Sequence, residues 1–176
     1  NITHIGPILN DSRLSDIGLF KRSFIGITPQ GWLRECANKE VIRTTWEILK
    51  PWLPIADAVI ISQEDIDYNQ QAVEQMSKLC KLLIVTEGYH GANLYCQGEK
   101  HRFVAPAKDE LDPTGAGDIF STAFFILFQR GYSPILAGKI ATEIASVSVT
   151  RYGLDSIPKA EEITQILYQN SIRGMI

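Results

Sequence analysis

The chain has 176 residues, 45% of them apolar and 21% charged, with a formal net charge of −3. That length supports one domain with a substantial core, and with no basic run and no apolar stretch of membrane-spanning length the composition argues against nucleic acid and membrane partners. Three cysteines, Cys36, Cys80 and Cys96, are scattered without metal-ligand spacing and read as reduced thiols of a cytoplasmic protein.

Residues 2–8 read as a buried strand ending near Pro7. Residues 11–20 are predicted as a short helix capped by Asp11 or Ser12. Residues 23–28 form a second short strand, and Thr28-Pro29-Gln30-Gly31 a turn. Trp32-Leu33-Arg34 then follow at the strand's C-terminal end, where open α/β sheets bind ligands. Residues 41–49 have helical spacing, broken by Pro51 and Pro54. Residues 56–62 are a buried strand, 63–66 an acidic turn into a helix, and 70–79 an amphipathic helix with Ala72, Val73, Met76 and Leu79 on one face. Residues 82–86 are the next buried strand, 87–91 a turn, and 92–96 with 101–105 a hairpin around Gly98. A helix over 117–130 stops at Gly131. Ser133 caps a helix over 134–151 with Gly153 at its C-cap, and 158–169 is a last helix. The small residues Ala137, Gly138, Ala141, Ala145 and Ser146 predict close packing of that penultimate helix. Strands alternating with helices mean an α/β fold with a mostly parallel sheet. The chain enters a strand-like run directly at Asn1 and reads as one seen from its middle.

Residues 112–120 read Asp-Pro-Thr-Gly-Ala-Gly-Asp-Ile-Phe, and the rest of the chain looks arranged to present them. Pro113 cannot lie inside a helix, and Gly115, Ala116 and Gly117 let a backbone approach an anion closely. A helix starting there leaves its first N–H groups free at the positive end of its dipole, which makes an anion hole. Asp118 then lies in the first turn beside it. A carboxylate there repels a simply bound phosphate but suits phosphoryl transfer. In that reaction a base takes the proton of an attacking hydroxyl while donors hold the phosphoryl oxygens. The other reading is a glycine-rich turn whose Asp favours the helix dipole, and residue types alone leave both open.

Asp112-Pro113-Thr114-Gly115-Ala116-Gly117-Asp118 resembles the C-terminal signature of the ribokinase-like, or PfkB, carbohydrate kinases. The resemblance implies a three-layer α/β sandwich, of which this chain is the C-terminal part. The family's glycine-rich sugar-binding region and β-sheet lid have no counterpart here. It implies that Asp118 is the base, and that Gly115, Ala116 and Gly117 donate to the transferring phosphoryl group. Thr86-Glu87-Gly88-Tyr89-His90-Gly91 is similar to the family's Thr-x-Gly-x-x-Gly segment, which implies that Thr86, Gly88 and Gly91 lie against ATP; Thr142 falls where the family lines the adenine pocket. Asp112, Thr114, Gly153 and Ser156 match the segments that close a monovalent-cation site, potassium being the implied ion. The family's Asn-x-x-Glu motif, tied to magnesium and phosphate, falls on Ser62 and Asp65, with Glu64 a rival carboxylate. Arg34 either reaches a phosphate or substrate group or lies at the surface.

The implied function is ATP-dependent phosphorylation of a hydroxyl on a small sugar, polyol or related carbohydrate, with magnesium and a potassium-like ion, by an enzyme that can form a homodimer. A second reading stays open: a non-catalytic nucleotide-binding or regulatory module, or a complementing half-kinase, that lacks the sugar site.

Overall fold

The computed structural model describes residues 1–9, 11–20, 22–37 and 40–173. Its strands are β1 (Ile2–Ile5), β2 (Phe24–Ile27), β3 (Arg34–Ala37), β4 (Glu40–Arg43), β5 (Ala58–Ser62), β6 (Leu82–Thr86), β7 (Ala92–Cys96) and β8 (Glu99–Phe103). Its α-helices are α1 (Gln70–Leu79), α2 (Ala116–Gln129), α3 (Pro134–Ser148) and α4 (Ala160–Arg173). Six strands form one sheet in the order β1-β2-β5-β6-β7-β8. The β1–β2, β2–β5 and β5–β6 pairs are parallel, with Ile5 opposite Ile27, Ile27 opposite Val59 and Val59 opposite Leu83. Parallel neighbours require crossover connections, which the intervening helices and turns provide. The first four residues of β5 and of β6 are all buried, which is why both strands read as continuous apolar runs rather than alternating ones. Gln97 (φ 53°) and Gly98 (φ 82°) alone join β7 to β8, the backbone of a tight hairpin turn.

The chain divides into two compact units. One comprises Asn1–Glu87 with Asn93–His101, the other Gly88–Ala92 with Arg102–Ile176. The first unit holds a core in which Ile25, Ile27, Val59, Ile61, Leu83 and Val85 cluster with Trp32, Leu49, Leu53 and the inner face of α1, Ala72, Val73 and Met76. Asn69 caps α1, its Oδ1 accepting from the Ala72 N–H at 3.1 Å. The tryptophans are packing residues; Trp32 is buried and donates its indole N–H to the Ser12 carbonyl at 2.7 Å.

In the second unit α2 packs on α3, and α3 on α4. Phe120, Phe124 and Phe128 stack along α2, and Ala137, Gly138, Ile140, Ala141 and Ile144 are buried along α3. Gly138 lies so close to the Phe103 ring that a Cβ would collide with it. Ser133 caps α3 as expected, its Oγ accepting from the Leu136 N–H at 3.2 Å. Gly131 (φ 93°) ends α2 as expected, with the Gly131 and Tyr132 N–H groups returning to the Phe128 and Leu127 carbonyls. Among the described residues no helix is long and apolar enough to cross a membrane.

Several expected elements are corrected. Residues 41–49 are not one helix. Residues 40–43 are β4, paired antiparallel with β3 in a separate two-stranded sheet, and only Trp46–Leu49 turn, as a 3₁₀ helix. Val41 and Ile42, 60% and 44% exposed, have no core to face as a helix, and β-branched residues suit a ribbon. The short helix predicted over residues 11–20 is a 3₁₀ helix and begins later, at Leu14–Phe20. The Asp11 carboxylate turns back to accept from the Ile8 N–H rather than capping. The predicted turn at 28–31 is itself part of a 3₁₀ helix, Pro29–Leu33. The second hairpin strand lies at 99–103, not 101–105. Helix α3 stops at Ser148, where the hydroxyls of Ser146, Ser148 and Thr150 each donate to the carbonyl three residues back and tighten the last turn. Gly153 is therefore not its C-cap; it opens a short 3₁₀ helix, Gly153–Ser156, at φ 55°.

Candidate active site

In the second unit the 112–118 loop is built around one carboxylate. Asp112 Oδ1 accepts from the Thr114 N–H at 3.0 Å and Oδ2 from the Gly153 N–H at 3.3 Å. The Thr114 side chain, then the Thr114 and Gly153 N–H groups, hold the Asp112 carboxyl below the usual carboxylate range. The Leu111 and Asp112 N–H groups both donate to the Val149 carbonyl, at 2.8 and 3.1 Å. The loop is thus tied to the segment that follows α3 by backbone as well as side chain. Asp112, Thr114 and Gly153, expected around a monovalent cation, are brought together. Ser156 is buried at the end of the same 3₁₀ turn as Gly153.

The chain enters α2 through Gly115, whose φ of 81° is a conformation glycine adopts without strain. The Ala116 N–H is taken by the Pro113 carbonyl at 3.1 Å, and the first i→i−4 bond runs from Ile119 to Gly115 at 3.0 Å. The Gly117 and Asp118 N–H groups lie between them, in the first turn, where α-helix geometry supplies no acceptor. A Cβ added at Gly115 or Gly117 would meet nothing within 4 Å. Gly117 also has an ordinary backbone, so neither packing nor strain within the chain calls for glycine there. Open space over free donors is what an approaching phosphoryl group needs. Asp118 is exposed in that same turn and has no hydrogen-bond partner among the described residues.

Gly88–His90 form a single 3₁₀ turn closed by the Gly91 N–H on the Gly88 carbonyl at 3.0 Å. The two glycines differ. Gly88 (φ 56°) faces open space, whereas Gly91 (φ 97°) lies against the Phe103 carbonyl with no room for a Cβ. Gly91 is accounted for by close packing; Gly88 is needed only for its backbone conformation. Thr142 is buried on α3 and its hydroxyl donates to the Gly138 carbonyl at 2.8 Å, so it offers a methyl surface rather than a free donor.

In the first unit Thr86 ends β6 opposite Ser62, the last residue of β5. Three of the residues singled out beside it form one cluster. Arg34 Nη2 donates to Asp65 Oδ1 at 3.1 Å, and Ser62 Oγ to Asp65 Oδ2 at 2.7 Å. The Asp65 side chain is only 6% exposed, so it is a carboxylate held by the chain itself, and Arg34 is its counter-ion. Glu64 is exposed. Sequence reading missed a second cluster at the same strand ends, in which Glu87 accepts from the side-chain amides of Gln63 and Asn93. An alternating polar residue in a short strand, as Asn93 is in β7, carries no signal of its partner. Among the described residues no group of three or more His, Cys, Asp or Glu is placed to hold a metal ion.

Comparison with known proteins bears on this arrangement. The family model for pfkB family carbohydrate kinases matches residues 37–160. A ribokinase from Arabidopsis thaliana is 33% identical over 108 residues, 59% of this chain and 28% of that protein. The chain spans 28 to 38% of the curated relatives it matches. Among solved structures, a ribokinase from Thermotoga maritima superposes with a TM-score of 0.74 at 24% identity, over 96% of this chain and 57% of that one. A pyrophosphate-dependent kinase in the ribokinase family, solved with a pyrophosphate analogue and myo-inositol, gives 0.80 at 19% identity over 93% and 62%. The sheet and helices described above are therefore those of the ribokinase fold, and the chain belongs to the pfkB family of carbohydrate kinases.

Proposed function

We propose that the protein serves the phosphoryl-donor end of a carbohydrate kinase, moving the γ-phosphoryl group of ATP to a hydroxyl of a small sugar, polyol or related carbohydrate. The observation that carries this reading is the exposed, unpartnered Asp118 in the first turn of α2, next to free backbone donors and the open space over Gly115 and Gly117. Asp118 takes the proton of the attacking hydroxyl. The acceptor oxygen bonds to phosphorus as the bond to the β-phosphate oxygen breaks, and ADP leaves with that electron pair. Donors at Gly115, Ala116 and Gly117 surround the phosphoryl oxygens; of these, the Ala116 N–H is already engaged by Pro113, so Gly117 and the Asp118 backbone bear most of the task. Losing one such donor costs about 3 kcal/mol of transition-state stabilisation.

Thr86, Gly88 and Gly91 are assigned to the nucleotide, and Thr142 to apolar contact with its base. Magnesium bound with the nucleotide would supply charge neutralisation of the phosphates, through waters that it would retain. Asp65 and Glu64 are the carboxylates that would accept from those waters. Asp65 already accepts from Arg34 and Ser62, so Glu64 is the less encumbered. The same ion pair engages Arg34, which favours a structural task for it over substrate contact. Asp112, Thr114, Gly153 and Ser156 are assigned to a potassium-like ion, which backbone carbonyls and hydroxyls of this turn suit.

The test is donor consumption by the 176-residue chain and its Asp118→Asn variant, with magnesium and potassium present. ATP and pyrophosphate are offered in turn against a panel of sugars, inositols and nucleosides. Acceptor-dependent turnover of ATP that falls by about 10²–10⁴-fold in Asp118→Asn, with ADP binding retained, is the expected result. Turnover with pyrophosphate alone would move the donor assignment. Nucleotide binding without turnover on any acceptor would favour the second reading, a non-catalytic nucleotide-binding module.

A further inference from the structure

The turn of residues 88–92 is closed at its base by the side chains of the two residues that flank it. Asn93 Nδ2 donates to Glu87 Oε1 at 2.6 Å, and Gln63 Nε2 donates to the same oxygen at 2.7 Å. The Gln63 backbone N–H donates in turn to the Thr86 carbonyl at 3.0 Å. One carboxylate thereby gathers three strand ends, since Gln63 follows β5, Glu87 follows β6 and Asn93 lies in β7. Both bonds are short, as charge-assisted bonds to a carboxylate are. Asn93 is 4% exposed, so its amide has no water to turn to if the acceptor is removed. The interior of the turn has little freedom to absorb a shift at its base. Gly88 and Gly91 hold positive φ, and Gly91 abuts the Phe103 carbonyl.

We propose that Glu87 is a positioning residue for the nucleotide: its carboxylate, gripped by Gln63 and Asn93, sets the conformation in which the Thr86–Gly91 segment meets the phosphoryl donor. This rests on the assignment of Thr86, Gly88 and Gly91 to the nucleotide. An acceptor oxygen at this place is what matters, so glutamine, which keeps one, is the conservative replacement and alanine the disabling one.

The experiment is calorimetric titration of magnesium–ADP into the 176-residue chain and into Glu87→Ala, Glu87→Gln and Gln63→Ala. Each variant is first shown to be folded by circular dichroism at the titration temperature. Glu87→Ala is expected to bind about tenfold more weakly and Gln63→Ala about threefold, with Glu87→Gln within about twofold of the parent. A change in stability alone would not give that order with rescue by glutamine. Parent-like affinity in both alanine variants overturns the proposal, and parent-like affinity in Gln63→Ala is sufficient to overturn it if Glu87→Ala does not fold. Glutamine as weak as alanine overturns it too, because the charge and not the acceptor would then matter. If the parent chain binds no magnesium–ADP, the nucleotide assignment itself fails, an outcome distinct from all of these.

Discussion

Asp112 holds two backbone N–H groups, one within its own loop and one from the segment after α3, and both prefer the ionised carboxylate. The sign of the pH effect follows. A carboxyl whose folded value is depressed contributes stability that is complete above its ordinary value, 3.8 for Asp, and lost as pH falls through the lower folded value. Asp112→Asn should therefore lower the neutral plateau of a melting-temperature profile slightly and leave stability unchanged in acid, below the folded value, so that part of the acid limb below about pH 4 flattens. Glu162, lowered chiefly by the Lys159 N–H, contributes to the same limb and remains in the variant. A profile unaltered by Asp112→Asn would mean that the tie to Gly153 does not survive in solution. At the same scale, burial pushes the Cys80 thiol up to about 12, which leaves it protonated and inert at neutral pH.

At the scale of elements, the β3–β4 ribbon puts two arginines opposite one another in register, Arg34 and Arg43. Each reaches an aspartate on the turn after β5, Asp65 and Asp67 respectively. Burial makes the two pairs unequal. Asp65 has a side chain 6% exposed, whereas Asp67 is 72% exposed. Removing Arg34 strands a buried carboxylate; removing Arg43 frees a solvated one. Arg34→Ala should cost about 2 kcal/mol in urea unfolding and Arg43→Ala less than about 1 kcal/mol. Equal costs would mean that Asp65 is wetter than its surroundings indicate. The ribbon was not legible from its sequence because Val41, Ile42, Trp46 and Leu49 also satisfy a helical period, and periodicity cannot tell which apolar residues have a core to face. The caps were legible: Asn69, Ser133 and Gly131 act through bonds within a few residues of themselves.

At the scale of the whole molecule, the sequence reads as one α/β domain and the fold has two compact units. The backbone passes between them repeatedly, and β8 runs from one into the other. A strand shared in this way should couple their unfolding, so the single-domain reading carries a test. All three tryptophans, Trp32, Trp46 and Trp52, lie in the first unit, whereas α2, α3 and α4 lie in the second. Tryptophan fluorescence and far-ultraviolet circular dichroism should report coincident urea transitions. Two separated transitions would divide the chain into independently folding parts.

The 112–118 motif was readable in the sequence because its geometry is local. A proline that cannot be helical, glycines that permit the turn, and an aspartate one turn in need no distant partner to define the start of a helix. Strands β5 and β6 were readable for a related reason, since strands buried on both faces must be apolar throughout, whereas residues 2–8, expected as a buried strand, are strand only at Ile2–Ile5, at the end of the sheet and half-exposed. What only the tertiary structure decided was which polar groups find each other. Asp65 meets Arg34 across 31 residues, and Glu87 meets Gln63 across 24. Each pairing turns on hydrogen-bond distances of about 3 Å, and the side chains involved carry no mark of their partner until the sheet has brought the strand ends together.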